Sequence, residues 1–106
     1  MYILIVYVPE THVEKVKEAL FAAGAGDFGG YDRCSWQVKG TGQFRPLEGS
    51  DPYLGSTGKV ERADEYRVEL SLRREIASEV VDALIEAHPY EVPAYHLIPA
   101  LTGENL

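Results

Sequence analysis

The stretch MYILIVYVPETHVEKVKEALFAAG, residues 1–24, has the pattern of a strand followed directly by a helix. Residues 2–8 are continuously apolar and rich in Ile and Val, which is typical of a short strand covered on both faces. Thr11 and Glu14 have the spacing of a capping box, and Gly24 is a typical residue at a helix end. One face of the predicted helix carries apolar residues at helical spacing: Val13, Val16, Leu20 and Phe21. The stretch therefore predicts a buried strand and an amphipathic helix.

The rest of the chain predicts further strands and a second helix after a glycine-rich start. Nine of the ten glycines lie in residues 24–58, where CSWQVKGTGQFRP (34–46) is interpreted as two short strands joined by a hairpin turn at 40–42. Residues 65–72 alternate in polarity, as in a strand with one face in the core and the other in water. The residues assigned to the core are Tyr66, Val68, Leu70 and Leu72, and those assigned to water are Glu65, Arg67, Glu69 and Ser71. A second helix is predicted from about Glu75 to His88, where Pro89 ends it, and AYHLIPAL (94–101) predicts a closing strand.

With the hairpin of residues 34–46 counted as one element, the order strand, helix, strand, strand, helix, strand predicts an α+β fold. We expect one ferredoxin-like (βαββαβ) domain over residues 1–106, with an antiparallel sheet and both helices on one face. The other face of such a sheet has no helices to cover its apolar residues. A second copy of the chain would cover them most simply, so we expect a homo-oligomer.

Composition and charge exclude several classes of protein. A net charge of −7 disfavours nucleic-acid binding, which needs a basic face. No apolar run reaches the roughly 18 residues of a membrane span, and the apolar start lacks the features of a signal peptide, so we expect a cytoplasmic protein without membrane contact. The single cysteine, Cys34, excludes an internal disulfide and a cysteine-rich zinc site.

Motifs for nucleotide binding and catalysis are weak. GAGDFG (24–29) has the glycine spacing of a dinucleotide-binding turn, but it follows a helix and precedes a strand, which is the reverse of the required order. GSTGK (55–59) lacks the remaining residues of a phosphate-binding loop. No serine, threonine or cysteine has a patterned base as a partner. The sequence therefore predicts a non-enzymatic protein.

HPYEVPAY, residues 88–95, concentrates polar and rigid residues at the predicted helix end. His88 and Glu91 are candidate ligands for a divalent metal ion, completed by Cys34, His96 or a neighbouring subunit, although Pro89 breaks the helix that would align them. The structural alternative is that His88 caps the helix and that Tyr90 and Tyr95 pack with satisfied hydroxyl groups.

Taken together, GAGDFGGYDRCSW, GTGQFRPLEGSDPYLGSTG, ADEYRVEL and AHPYEVPAYHLIP resemble the YqfO-type domain. This domain is an insert in the dinuclear-metal proteins related to the yeast Ngg-interacting factor, and it also occurs alone. The resemblance implies a fold similar to the CutA and PII signalling proteins, which associate as oligomers, often trimers, although a dimer is also compatible. The metal ligands of the longer relatives lie in flanking halves, and none of those motifs occurs in these residues.

The resemblance also indicates a candidate ligand site, because the two glycine-rich segments and the His-Pro-Tyr-Glu motif of the family occur together in this sequence. The residues expected to contact a small molecule or ion in a cleft between subunits are Gly29, Tyr31, Gly42, Phe44, His88, Tyr90, Glu91 and Tyr95. The implied function is a regulatory or sensor-type module. The alternatives are a CutA-like metal-binding protein that uses His88 and Glu91, and a purely structural module in which the same motif stabilises the oligomer.

Overall fold

The computed structural model describes residues 1–106 as four strands and two α-helices in the predicted order. Their bounds are β1 Tyr2–Pro9, α1 Val13–Ala22, β2 Trp36–Phe44, β3 Glu61–Leu72, α2 Ala77–Ala87 and β4 Tyr95–Pro99. Short 3-10 turns, Glu10–His12 and Arg74–Ile76, precede the two helices, and a third, Gly103–Asn105, lies near the end of the chain. The longest helix has 11 residues, well short of the length needed to span a membrane.

The four strands form one antiparallel sheet in the order β2-β3-β1-β4. The predicted α+β, ferredoxin-like class is therefore confirmed. At the centre of the sheet, Val6 of β1 lies between Val68 of β3 and Tyr95 of β4. Because side chains alternate along a strand, this register also fixes which residues face the helices.

The hydrophobic core lies between the sheet and the helices. Its fully buried residues come from β1, α1, β3 and α2: Leu4, Val6, Val8, Val16, Leu20, Val68, Val80 and Leu84. The helical and alternating patterns of the sequence therefore identified most of the core, but Phe21 lies outside it, where its ring is covered by Arg33. We call the opposite side of the sheet the open face, which carries Ile5, Arg67, Val38 and Ile98 among others.

The predicted hairpin at 40–42 is wrong, because β2 is one continuous strand of nine residues. Gly40 and Gly42 pair with Glu65 and Ala63 of β3. Neither glycine has the positive φ that tight hairpin turns need, and β3, with 12 residues, is long enough to pair with all of β2.

The predicted capping box is also absent. The Thr11 hydroxyl bonds to Nδ1 of His12 at 2.8 Å, and the Glu14 carboxylate accepts a hydrogen bond from Lys17 at 3.1 Å. The chain enters α1 through a 3-10 turn instead, without any side-chain cap. The second helix likewise begins later than predicted, at Ala77, because residues 74–76 form another 3-10 turn.

Candidate ligand-binding cavity

A cavity of about 500 Å³ lies on the open face of the sheet. Its base is formed by β2 and β3, and its walls by the loop after β2 and by the segment between α2 and β4. Val38, Gly40 and Gly42 line it from β2 at alternate positions, as expected for one side of a strand. The volume lies within the range of pockets that hold small organic ligands.

Glu65 contributes a buried carboxylate to the base of the cavity. The sequence pattern assigned this residue to water, but the loops above it leave only 9% of its surface exposed. The Tyr90 hydroxyl donates a hydrogen bond to Oε2 of Glu65 at 2.7 Å. Burial, reinforced by this carboxylate, holds the pKa of the Tyr90 phenol well above its usual value, so the hydroxyl remains a donor.

Gly42 makes room for the Glu65 carboxylate. A Cβ atom at this position would overlap the carboxylate carbon and oxygens of Glu65. Gly40, one position back on the same face, differs because a Cβ there would meet no atom within 4 Å. The glycine at position 42 is therefore required by a contact across the sheet.

His88 fixes the position of Tyr90 through a backbone hydrogen bond. Its Nδ1 accepts a hydrogen bond from the Tyr90 backbone N–H at 3.2 Å, so Nε2 carries the proton and donates to the carbonyl of Tyr7 at 2.7 Å. His88 is only 5% exposed, and this burial lowers the pKa of its imidazole below the usual range. The structure thus describes a neutral imidazole with both ring nitrogens engaged inside the chain.

Tyr90 is also the centre of an aromatic cluster. Its ring centroid lies 5.9 Å from that of Phe44, 6.1 Å from Tyr53 and 5.0 Å from His88. Phe44, Tyr53 and Tyr90 all line the cavity. They supply flat apolar surfaces on which a planar group could stack.

Two further charged residues line the cavity, and both are held by neighbours. Oε1 of Glu91 accepts a hydrogen bond from the Asp51 backbone N–H at 3.0 Å, which joins the two segments that form the walls. Nε of Arg67 donates to Oε1 of Glu69 at 2.8 Å. The Arg67 guanidinium is therefore partly neutralised by a residue outside the cavity.

The cavity brings together half of the residues predicted to bind a ligand: Gly42, Phe44, Tyr90 and Glu91. His88 lies behind Tyr90, and Tyr95 packs against the core on the helix side of the sheet. Gly29 and Tyr31 lie in the loop after α1 and do not line the cavity. Tyr7, Tyr53, Glu65 and Arg67 line it without having been predicted. Only their tertiary contacts identify them.

The structure contains no group of three or more histidine, cysteine, aspartate or glutamate side chains that could hold a metal ion. Both ring nitrogens of His88 are occupied, and Glu91 bonds to a backbone N–H of the opposite wall. Within one chain, both members of the predicted metal pair are therefore engaged in other contacts.

Solved structures with this architecture define the class of fold. The chain superposes on a CutA divalent cation tolerance protein from Archaeoglobus fulgidus with a TM-score of 0.70 and 23% identity, covering 97% of this chain and 87% of that one. At this identity the likeness shows the fold alone. It is a CutA-like, ferredoxin-like fold.

Closer relatives identify the domain within this class, although no model of a known protein family matches the chain. A protein named GTP cyclohydrolase 1 type 2 homolog, from Halalkalibacterium halodurans, is 46% identical over 107 residues, covering all of this chain and 29% of the relative. A Bacillus cereus protein related to NIF3 superposes with a TM-score of 0.81 and 39% identity over 93% of this chain and 25% of that one. The chain thus matches one segment of these larger proteins, spanning less than a third of their length, and the resemblance to the YqfO-type domain is confirmed.

Proposed function

We propose that this chain is a non-enzymatic regulatory or sensor-type module of the cytoplasm that binds a small molecule in the cavity on its open face. The observation that carries this proposal is the buried Glu65 carboxylate at the base of an aromatic-walled cavity. Burying a carboxylate is costly unless its oxygens are hydrogen-bonded, and a few polar groups in an otherwise apolar pocket are what fixes a ligand's orientation. The Ser50 hydroxyl, which lines the cavity, donates to the Leu47 carbonyl and is not paired with a base, so we favour binding over catalysis.

Self-association is part of the proposal. The open face exposes Trp36, Val38 and Ile98 by 60%, 45% and 44%, and β2 is an edge strand with nine residues available for pairing. A second copy of the chain would cover this surface and narrow the mouth of the cavity. A trimer is favoured by the family resemblance, and a dimer would serve the same purpose.

A structural role for the HPYE motif is the second candidate. It is favoured by the hydrogen bonds that His88 and Tyr90 make within the chain. The metal-binding alternative has no comparable support, since no cluster of ligands is present in the chain.

Native mass spectrometry on protein purified without a tag or chelator tests both parts of the proposal. We expect an oligomer that carries a stoichiometric small-molecule adduct. Gly40→Val should remove the adduct and leave the fold intact, because its side chain would point into open cavity space and valine favours strands.

Gly103→Val is the matched control. Gly103 also has ordinary backbone geometry and open space around its Cβ position, but it lies near the end of the chain and outside the cavity. An adduct that survives Gly40→Val would place binding elsewhere. A wild-type oligomer with no adduct would favour the structural role, and a monomer would contradict self-association.

A further inference from the structure

Glu65 has one carboxylate oxygen available to a ligand. Oε2 accepts the Tyr90 hydroxyl, whereas Oε1 has no hydrogen-bond partner within the chain. Oε1 of Glu65 is also accessible to solvent. If it were fully buried it would be a buried polar atom without a partner, and the only such atom in the chain is Oε1 of Gln37. The base of the cavity therefore presents a carboxylate oxygen that can accept a hydrogen bond from a ligand.

The groups around this acceptor favour a cation. Glu91 adds a second carboxylate at the wall, and the one positive group, Arg67, is bonded to Glu69. Aromatic rings of Phe44, Tyr53 and Tyr90 stand beside it, and their faces attract positive charge. An anionic ligand would face the Glu65 and Glu91 carboxylates, and the Arg67 guanidinium, already bonded to Glu69, would offset them only in part.

The size and lining of the cavity suit an organic cation better than a metal ion. The cavity holds about 500 Å³, far more than a bare ion would fill, and no group of three ligating side chains surrounds any point in it. Flat aromatic walls match a flat ligand, and a carboxylate oxygen matches an N–H donor in the plane of that ligand.

We propose that the cavity recognises a planar organic cation, of the amidinium or guanidinium type joined to a ring, whose N–H group donates to Glu65 while its ring stacks on the aromatic wall. The proposal rests on the ligand-binding function proposed above and names the class of ligand.

The test uses benzamidine as the probe, with benzamide and benzoate as a neutral and an anionic control of the same shape. Each is titrated into the isotope-labelled chain of residues 1–106, and the backbone amide signals of Gly40 and Gly42 report binding by nuclear magnetic resonance. For so small a ligand we expect a Kd for benzamidine on the order of 1–10 mM. Benzamide should bind about tenfold more weakly, and benzoate should not shift these signals.

Glu65→Gln should weaken benzamidine binding by about tenfold, because the amide removes the charge while its oxygen can still accept from Tyr90. Asp64→Asn is the control, since Asp64 is exposed and neighbours Glu65 on β3 but lies on the opposite face of the sheet and does not line the cavity. Should the Glu65 variant lose its folded spectrum, Gly40→Val tests whether benzamidine binds in this cavity, because it should abolish binding by filling the space, and the benzamide and benzoate titrations test the role of charge.

Three results would overturn the proposal: no shift of the two glycine amides with benzamidine, equal binding by wild type and Glu65→Gln, or benzoate binding as tightly as benzamidine. They are distinguishable from failure of the proposed function. A native adduct that Gly40→Val removes, found in a protein that ignores benzamidine, would keep the ligand site and reject only this class of ligand.

Discussion

Replacing Tyr90 by phenylalanine tests the central contact of the cavity. The change removes one hydroxyl group and keeps the ring that packs near Phe44 and Tyr53. It leaves the Glu65 carboxylate, 9% exposed, without its only hydrogen-bond partner in the chain. A hydrogen bond to a charged group contributes about 1.5–3 kcal/mol to folding. We expect the lower part of this range, about 1.5–2 kcal/mol, because water in the cavity can replace part of the lost contact.

Urea denaturation of Tyr90→Phe at a fixed protein concentration measures this loss, and a thermal scan should show a Tm lower by roughly 6–16 °C. Tyr31→Phe is the control, since Tyr31 is 75% exposed and makes no side-chain hydrogen bond. It should change the free energy of unfolding by less than about 0.5 kcal/mol. Equal stability of the two variants would refute the reasoning, because it would mean that water satisfies Glu65 as well as Tyr90 does.

Three other perturbations give contrasting outcomes in the same denaturation assay. Gly42→Ala should destabilise the fold by about 1–3 kcal/mol, because its Cβ would displace a buried carboxylate, whereas Gly40→Ala should not; equal effects would contradict the assigned contact. Leu84→Ala should lower the free energy of unfolding by about 2–5 kcal/mol, since Leu84 is fully buried, and Ile85→Ala should lower it far less, since Ile85 is 50% exposed. A larger loss for Ile85→Ala would contradict the assignment of the core. The pKa of His88 is lowered in the folded state, so the unfolded chain takes up protons first, and stability should fall as pH drops below the ordinary value of 6.5. His88→Gln should reduce this pH dependence, and an unchanged slope would show that another group causes it.

The periodic parts of the sequence were sufficient to predict the fold. Residues 2–8 and 13–21 formed the expected strand and helix because burial of a repeating apolar face dominates their local preferences. The continuous strand β2 could not be predicted in this way. Gly40 and Gly42 have the composition of a turn, and only their pairing with β3 and the position of Glu65 explain why they lie in a strand.

The site was predictable only in part. The unusual composition of residues 88–95 drew attention to a segment from which Tyr90 and Glu91 line the cavity. Alternation placed Glu65 on the face away from the helices, which is right, but it carried no information on what covers that face. The partners of this segment are distant in sequence, since His88 bonds to Tyr7 and Tyr90 bonds to Glu65. Contacts of this range follow from the assembled sheet and not from any local pattern.

The structural and ligand-binding interpretations of HPYEVPAY therefore describe different residues of one segment. His88 has a structural role, because both of its ring nitrogens bond to the backbone and fix the exit from α2. Tyr90 belongs to both, since its hydroxyl satisfies one oxygen of Glu65 and its ring forms a wall of the cavity. A variant of His88 should lower stability and change ligand binding only through the position of Tyr90. A variant of Glu65 should change binding directly, and this difference separates the two roles in a way that a joint change at His88 and Glu91 would not.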